Sequence, residues 1–173
     1  CSPQARIDEL AAKGHAVNGE LRGHKADLFD GGHRVPFFVR WPARVRPSVS
    51  DQLVCLTDVF ATVAEINGTK LPDATAEDSF SFLPVLLGRG PSARDTIVHH
   101  SISGAFAIRA GEWKLMLAPG SGGWSAPLDP DAVKQGLPDT QLYRIGGGDL
   151  AEARNLYREH PEVVARLNGL LEK

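Results

Sequence analysis

The densest set of residues able to do chemistry is the run Arg22-Gly23-His24-Lys25-Ala26-Asp27-Leu28-Phe29-Asp30-Gly31-Gly32-His33-Arg34. A lysine set among glycines at the mouth of a strand can present its ammonium to an anionic oxygen, while the glycines let backbone approach closely. A sulfate or phosphate ester suits such a site. On these residues alone a second reading stays open, in which Lys25 is solvated and Asp30, Arg34 and the two glycines build a turn. His99-His100 closes a β-rich segment. Adjacent strand residues face opposite ways, so at most one of the two can enter a given pocket. Trp124, in a loop with Gly120, Gly122 and Gly123, is placed to stack on a sugar ring, whereas Trp113 sits inside a strand pattern and reads as packing.

Other chemistries lack their patterns. His24, His33, His99 and His100 match no common zinc spacing and have no accompanying cysteine pair. Ser101, Ser103, Ser121 and Ser125 lie in no Gly-x-Ser-x-Gly elbow. Gly146-Gly147-Gly148 lacks the spacing of a dinucleotide loop, and no Gly-x4-Gly-Lys-Ser/Thr occurs, so these glycines read as a turn.

The chain that must position these groups has 173 residues, 42% hydrophobic and 23% charged, an ordinary globular composition. A net charge of −2 gives no field to draw nucleic acid or anionic lipid. Apolar runs such as Val35-Pro36-Phe37-Phe38-Val39 fall far short of the ~20 residues of a membrane-spanning helix. Two cysteines, Cys1 and Cys55, make no disulfide framework. Cys1-Ser2-Pro3-Gln4 is neither an initiator methionine nor a signal peptide, so the chain reads as a piece cut from a longer one.

Pro3 to Lys13 carries Ile7, Leu10 and Ala11 at helical spacing, with Ser2 as N-cap and Gly14 past the end. Gly14 to Gly32 reads as a long loop, and Val35 to Val39 as a buried strand. Asp51 to Asn67 has an apolar stripe, Val59, Phe60, Val63 and Ile66 included, that predicts a helix stopped by Gly68. Phe80 to Gly88 reads as a short turn or helix interrupted by Pro84. Three strands follow, 96–100, 105–109 and 112–117, with Ala110-Gly111 as a tight connection, then an edge strand at 141–145. A last helix opens at His160-Pro161-Glu162 and lines up Val163, Val164, Leu167, Leu170 and Leu171.

Taken together, Arg22-Gly23-His24-Lys25, Asp30-Gly31-Gly32-His33-Arg34-Val35-Pro36-Phe37 and Arg40-Trp41-Pro42 resemble the Arg-Gly-x-Lys…Glu-Gly-Gly-x-Arg-x-Pro…Trp-Pro-Gly block of the arylsulfatase family. The order continues through Thr57–Thr62, Ser81–Gly88 and Ala107-Ile108-Arg109-x-Gly111-x-Trp113-Lys114-Leu115. It closes on Gln141-Leu142-Tyr143 with Asp149, Glu152, Asn155 and Leu156. In that family's tail Arg144 replaces an aspartate, and Asp149-Leu150 stands where Asp-Pro is usual.

This resemblance implies an α/β fold. Residues 1–92 would be the closing portion of an alkaline-phosphatase-like sandwich domain, and 93–173 a small subdomain of antiparallel sheet and C-terminal helix. It also implies sulfuric ester hydrolysis by a calcium- and formylglycine-dependent parent enzyme. The calcium ligands, the nucleophile and the N-terminal half of that parent lie outside this chain, which by itself would be inactive. Cys1-Ser2-Pro3-Gln4-Ala5-Arg6 is one residue out of step with the family's Cys-x-Pro-x-Arg nucleophile signature, turning Arg6 roughly 100° around a helix, so Cys1 is not read as that nucleophile. Lys25 maps onto the family's sulfate-contacting lysine and is the expected catalytic residue; His99, His100 and Trp124 are expected substrate contacts, and no metal ligand is expected here. The expected partner is a sulfated small molecule or glycan. Export to the periplasm or outside the cell is implied by resemblance alone. Two alternatives remain: a phosphoesterase of the same superfamily, distinguished by a Ser or Thr nucleophile, and a carbohydrate-binding module.

Overall fold

Alternation along three short strands decides which residues meet the loop bearing Lys25. The computed structural model describes residues 2–172; Cys1 lies outside them. Strands β1 (Thr96–His100), β2 (Phe106–Ala110), β3 (Trp113–Met116) and β4 (Gln141–Arg144) form one sheet in sequence order. The β2–β3 and β3–β4 pairs are antiparallel, as the strand pattern predicts. Gly111, at φ 58°, makes the tight connection between β2 and β3.

Register sets Arg109 beside Lys114 and Ala107 beside Met116 across one pair, and Lys114 beside Tyr143 across the next. These residues share one face of the sheet, and Ile108, Ala110, Leu115 and Leu142 share the other. The second face packs under helix α6 (Pro161–Leu171) through Leu167, Val163, Val164, Leu170 and Leu171, the stripe read from the sequence. The first face lies away from α6. It is covered by Leu28 and Phe29, both fully buried against Ala107, Met116, Ala118, Tyr143 and Ile145. The long loop is therefore part of the core.

The chain separates by packing into two compact units, one made of residues up to Pro36 together with those from Val98 onward, the other Phe37–Ile97. In the first unit, helix α1 (Ile7–Ala12) follows a 3-10 turn at Pro3–Ala5, the two separated by Arg6 at φ 56°. Gly14, at φ 80°, ends α1 as the sequence predicts. Helix α2 (Asp30–His33) is a single turn inside the segment read as loop. Helix α5 (Asp129–Lys134) lies in the stretch between β3 and β4.

In the second unit, helix α3 (Asp58–Ile66) starts later than its apolar stripe predicts and ends at Gly68 as expected. Its buried residues are polar. Asp58 receives both Nε and Nη2 of Arg94, at 2.8 and 2.6 Å, and the N–H groups of Cys55 and Phe80. Thr62 donates to Asp58 O and accepts from Phe82 N. The stripe itself, Val59, Phe60, Val63 and Ile66, is exposed. In helix α4 (Leu83–Leu86), Pro84 sits in the first turn, where its missing N–H costs nothing, so it helps to start the helix it was expected to interrupt.

Val35 to Val39 is not a strand. Residues 34–41 have no regular structure, and Phe38 is 90% exposed. A β-branched and aromatic run becomes a buried strand only when neighbouring strands take its N–H and C=O groups, and none does so among the described residues.

Candidate functional site

Lys25 occupies the tip of a loop closed at its base by backbone. Gly31 N donates to Arg22 O at 2.7 Å, and Asn18 Nδ2 donates to Gly23 O at 2.6 Å. The closure is tight enough that a Cβ on Gly31 would lie 2.3 Å from Gly23 O. Lys25 is exposed, with no hydrogen bond or ion pair to any described residue. Its ammonium is free to meet an anion.

What holds the tip is Asp27. This buried carboxylate accepts from the backbone N–H of His24 at 2.8 Å, of Trp124 at 2.7 Å and of Ser125 at 3.0 Å. It also takes the Ser125 hydroxyl in a close contact. Four donors on one carboxylate fix the 24–27 turn against the 121–125 loop. Leu28 N to Ser121 O and Ile102 N to Ala26 O extend the seam. Trp124, 43% exposed, is thereby anchored through its backbone beside the Lys25 turn.

Behind the tip lies a buried charge cluster. Lys114 Nζ is 2.8 Å from Asp30 Oδ1 and 2.7 Å from Glu152 Oε1, and Glu152 Oε2 accepts from Asp30 N at 2.7 Å. Arg22 stacks 3.9 Å above the Phe29 ring and donates to Glu152 O. One ammonium thus serves two carboxylates out of contact with water, and the carboxylates respond differently. Burial works against the Asp30 charge, but contacts with His33 and Lys114 outweigh it and hold Asp30 far below the usual carboxylate range. At Glu152 burial prevails over Lys114 and raises the pKa.

His33 and His99 stack with ring centroids 3.6 Å apart. His99 Nε2 lies 3.2 Å from Leu28 O, which can only accept, so Nε2 carries the hydrogen. Burial, then the competing protonation of neighbouring His33 and the Lys114 charge, push His99 down to about 3. Burial also lowers His33, against the opposing pull of Asp30. Both rings are therefore neutral at pH 7. Their buried Nδ1 atoms, and Asp30 Oδ2, have no hydrogen-bond partner among the described residues. His100 turns the other way, to the oxygen of Ser101 at 2.9 Å and toward Phe106.

Of the four residues singled out in the sequence, Lys25 and Trp124 are joined through Asp27. His99 reaches the same loop through Leu28 O, and His100 is directed away from it. Sequence reasoning passed over Asp27, Lys114 and the roles of Glu152 and Ser125. A lysine in an otherwise apolar strand, Trp113-Lys114-Leu115-Met116, was the available signal for a buried counter-charge.

No group of three or more His, Cys, Asp or Glu side chains among the described residues could hold a metal ion. Asp30 and Glu152 are committed to Lys114, and Asp27 to four donors, so these carboxylates do not fit a calcium site. No helix among the described residues is long and apolar enough to cross a membrane.

No family model matches the chain. It is 36% identical over 166 residues to an N-acetylgalactosamine-6-O-sulfatase of Bacteroides thetaiotaomicron, covering 92% of this chain and 30% of that protein. It is 33% identical over 119 residues to arylsulfatase A of Homo sapiens, covering 65% of this chain and 23% of that protein. Among solved structures it matches a Bacteroides thetaiotaomicron sulfatase, described with the metabolism of multiple glycosaminoglycans, at a TM-score of 0.78 and 34% identity. That match covers 93% of this chain and 33% of the other. The chain therefore spans about a third or less of the length of these relatives.

Proposed function

The chain belongs to the sulfatase family, matching its C-terminal region, and from that premise we propose that it supplies the sulfate-holding lysine of a sulfuric ester hydrolase. The observation that carries this reading is Lys25 itself, an exposed and unpaired ammonium on a loop whose base and tip are both fixed. As the S–O bond breaks, charge builds on the oxygens of the sulfuryl group, and a pre-positioned ammonium lowers the barrier without having to reorganise. The substrate class is a sulfated small molecule or glycan, with Trp124 beside the turn as a stacking surface; the His99 ring, turned to Leu28 O and His33, is a support behind the loop and not a contact.

In this reading the nucleophile, a formylglycine, and a calcium site come from the N-terminal part of the same enzyme, and no step here runs through calcium. That part also supplies the rest of the sandwich domain and covers the apolar residues exposed at Val35, Phe38, Phe60 and Val63. The chain alone has no turnover. Lys25→Ala in the parent enzyme tests the assignment. Turnover falls at least about tenfold, roughly the worth of one charge-assisted contact, while the unfolding midpoint stays where it was, because Lys25 is exposed and makes no hydrogen bond or ion pair to any described residue. Wild-type turnover in that variant would remove Lys25 from the reaction.

A further inference from the structure

His24 stands next to Lys25, and its ring is held in one orientation by a chain of three groups. The Ser125 hydroxyl has one hydrogen, which goes to Asp27 Oδ2, a carboxylate able only to accept. Ser125 Oγ is left with lone pairs toward His24 Nδ1, 2.8 Å away, so Nδ1 must carry a hydrogen and donate it. In the neutral ring Nε2 is then a lone-pair acceptor. The backbone of His24 is fixed by the same carboxylate, its N–H reaching Asp27 Oδ2 at 2.8 Å. The side chain is 19% exposed, and Nε2 has no hydrogen-bond partner among the described residues and is not sealed from solvent. Three groups therefore combine to leave one acceptor edge open to solvent, beside the ammonium that meets the ester.

An acceptor lone pair repels sulfuryl oxygens, so it does not serve the group that Lys25 holds. It selects a donor. We propose that His24 Nε2 accepts a hydrogen bond from a hydroxyl group lying next to the sulfate ester on the substrate, making His24 a specificity-determining contact for hydroxylated substrates such as sugar sulfates. This rests on the reading of Lys25 as the sulfate contact. An acceptor oriented for a hydroxyl discriminates against a substrate lacking it, since nothing else satisfies the lone pair once bound substrate expels water.

The test is His24→Asn in the parent enzyme. The asparagine amide can still donate to Ser125 Oγ from near the Nδ1 position, so the scaffold contact survives while the outer nitrogen is lost. Two substrates are compared: a sugar sulfate with a free hydroxyl beside the ester, and 4-nitrophenyl sulfate, which has none. Expected is a loss in kcat/KM of about tenfold on the sugar sulfate, the worth of one hydrogen bond, with the aryl sulfate within roughly twofold of the parent. Equal losses on both substrates, or no loss on either, would overturn the proposal. Nitrogen-15 NMR of the histidine in the parent enzyme gives a readout apart from activity: the Nδ1–H form is expected, and a neutral ring protonated at Nε2 overturns the assignment. Lys25→Ala in parallel separates the two readings, because it lowers both substrates together if the sulfatase reading holds and leaves both unchanged if that reading fails.

Discussion

Lys114 Nζ lies 2.7 Å from Glu152 Oε1 with neither side chain reaching solvent. The same ammonium is 2.8 Å from Asp30, so one residue of β3 ties the first turn of α2 to the segment that follows β4. Burying three charges is costly in itself, and their arrangement is worth keeping only because each satisfies the others.

Removing the cation should therefore cost far more than shortening an apolar side chain. Lys114→Met leaves Glu152 without its ion-pair partner and Asp30 with only the longer contacts to Arg34 and Arg109, at 3.6 and 4.0 Å, and the expected loss is about 3–5 kcal/mol in urea unfolding. Adding Glu152→Gln to that variant should restore part of it, because one buried charge is removed while the amide oxygen can still accept from Asp30 N. A loss below about 1 kcal/mol for Lys114→Met, within the range of ordinary surface changes, would mean the cluster is solvated.

Acid should weaken the fold well above the carboxylate range. His99 is held at about 3 in the folded protein, against an ordinary value of 6.5, and His33 is lowered too. Below 6.5 the unfolded chain takes up protons that the folded chain refuses, so stability present above that pH is lost progressively as pH falls toward 3. Glu152 acts in the opposite sense, since its raised pKa favours the protonated folded state as pH falls. Urea midpoints at pH 7 and pH 5.5, compared between the parent chain and His99→Gln, read the imidazole contribution. The midpoint is expected to fall at pH 5.5 in the parent chain and to fall less in His99→Gln; equal drops in the two would assign the effect elsewhere.

The sheet and α6 were legible because each has a period that one neighbour explains: Ile108, Leu115 and Leu142 alternate toward Leu167 and Val163. Val35 to Val39 is not the strand expected, and α3 starts later than expected with its stripe exposed, for a shared reason. Apolar pattern records what a segment would bury, and the partners that would cover Phe38 or Val63 are not among the described residues, so these side chains are exposed and α3 is held by Asp58 and Thr62. At the site, Lys25 stood out because its glycines and charge lie within a few residues of one another. Asp27 did not, because three of its four hydrogen bonds go to residues 97 or 98 positions away. Lys114 was hidden likewise, 84 residues from Asp30.

The glycines behind Lys25 offer a prediction with an internal control. A Cβ at Gly31 would sit 2.3 Å from Gly23 O and 2.5 Å from Arg22 O, and one at Gly32 would sit 2.4 Å from Asp27 O. All three obstacles are backbone carbonyls, which cannot swing aside as a side-chain tip can. Arg22 O is moreover the acceptor that closes the loop. Gly31→Ala and Gly32→Ala must therefore open the loop, at an expected cost of about 1–3 kcal/mol in urea unfolding. Gly90, in the other unit, has nothing within 4 Å of the same position, and Gly90→Ala should stay within about 0.5 kcal/mol of the parent. If all three substitutions proved equally mild, the Lys25 loop would be too loosely packed to aim an ammonium.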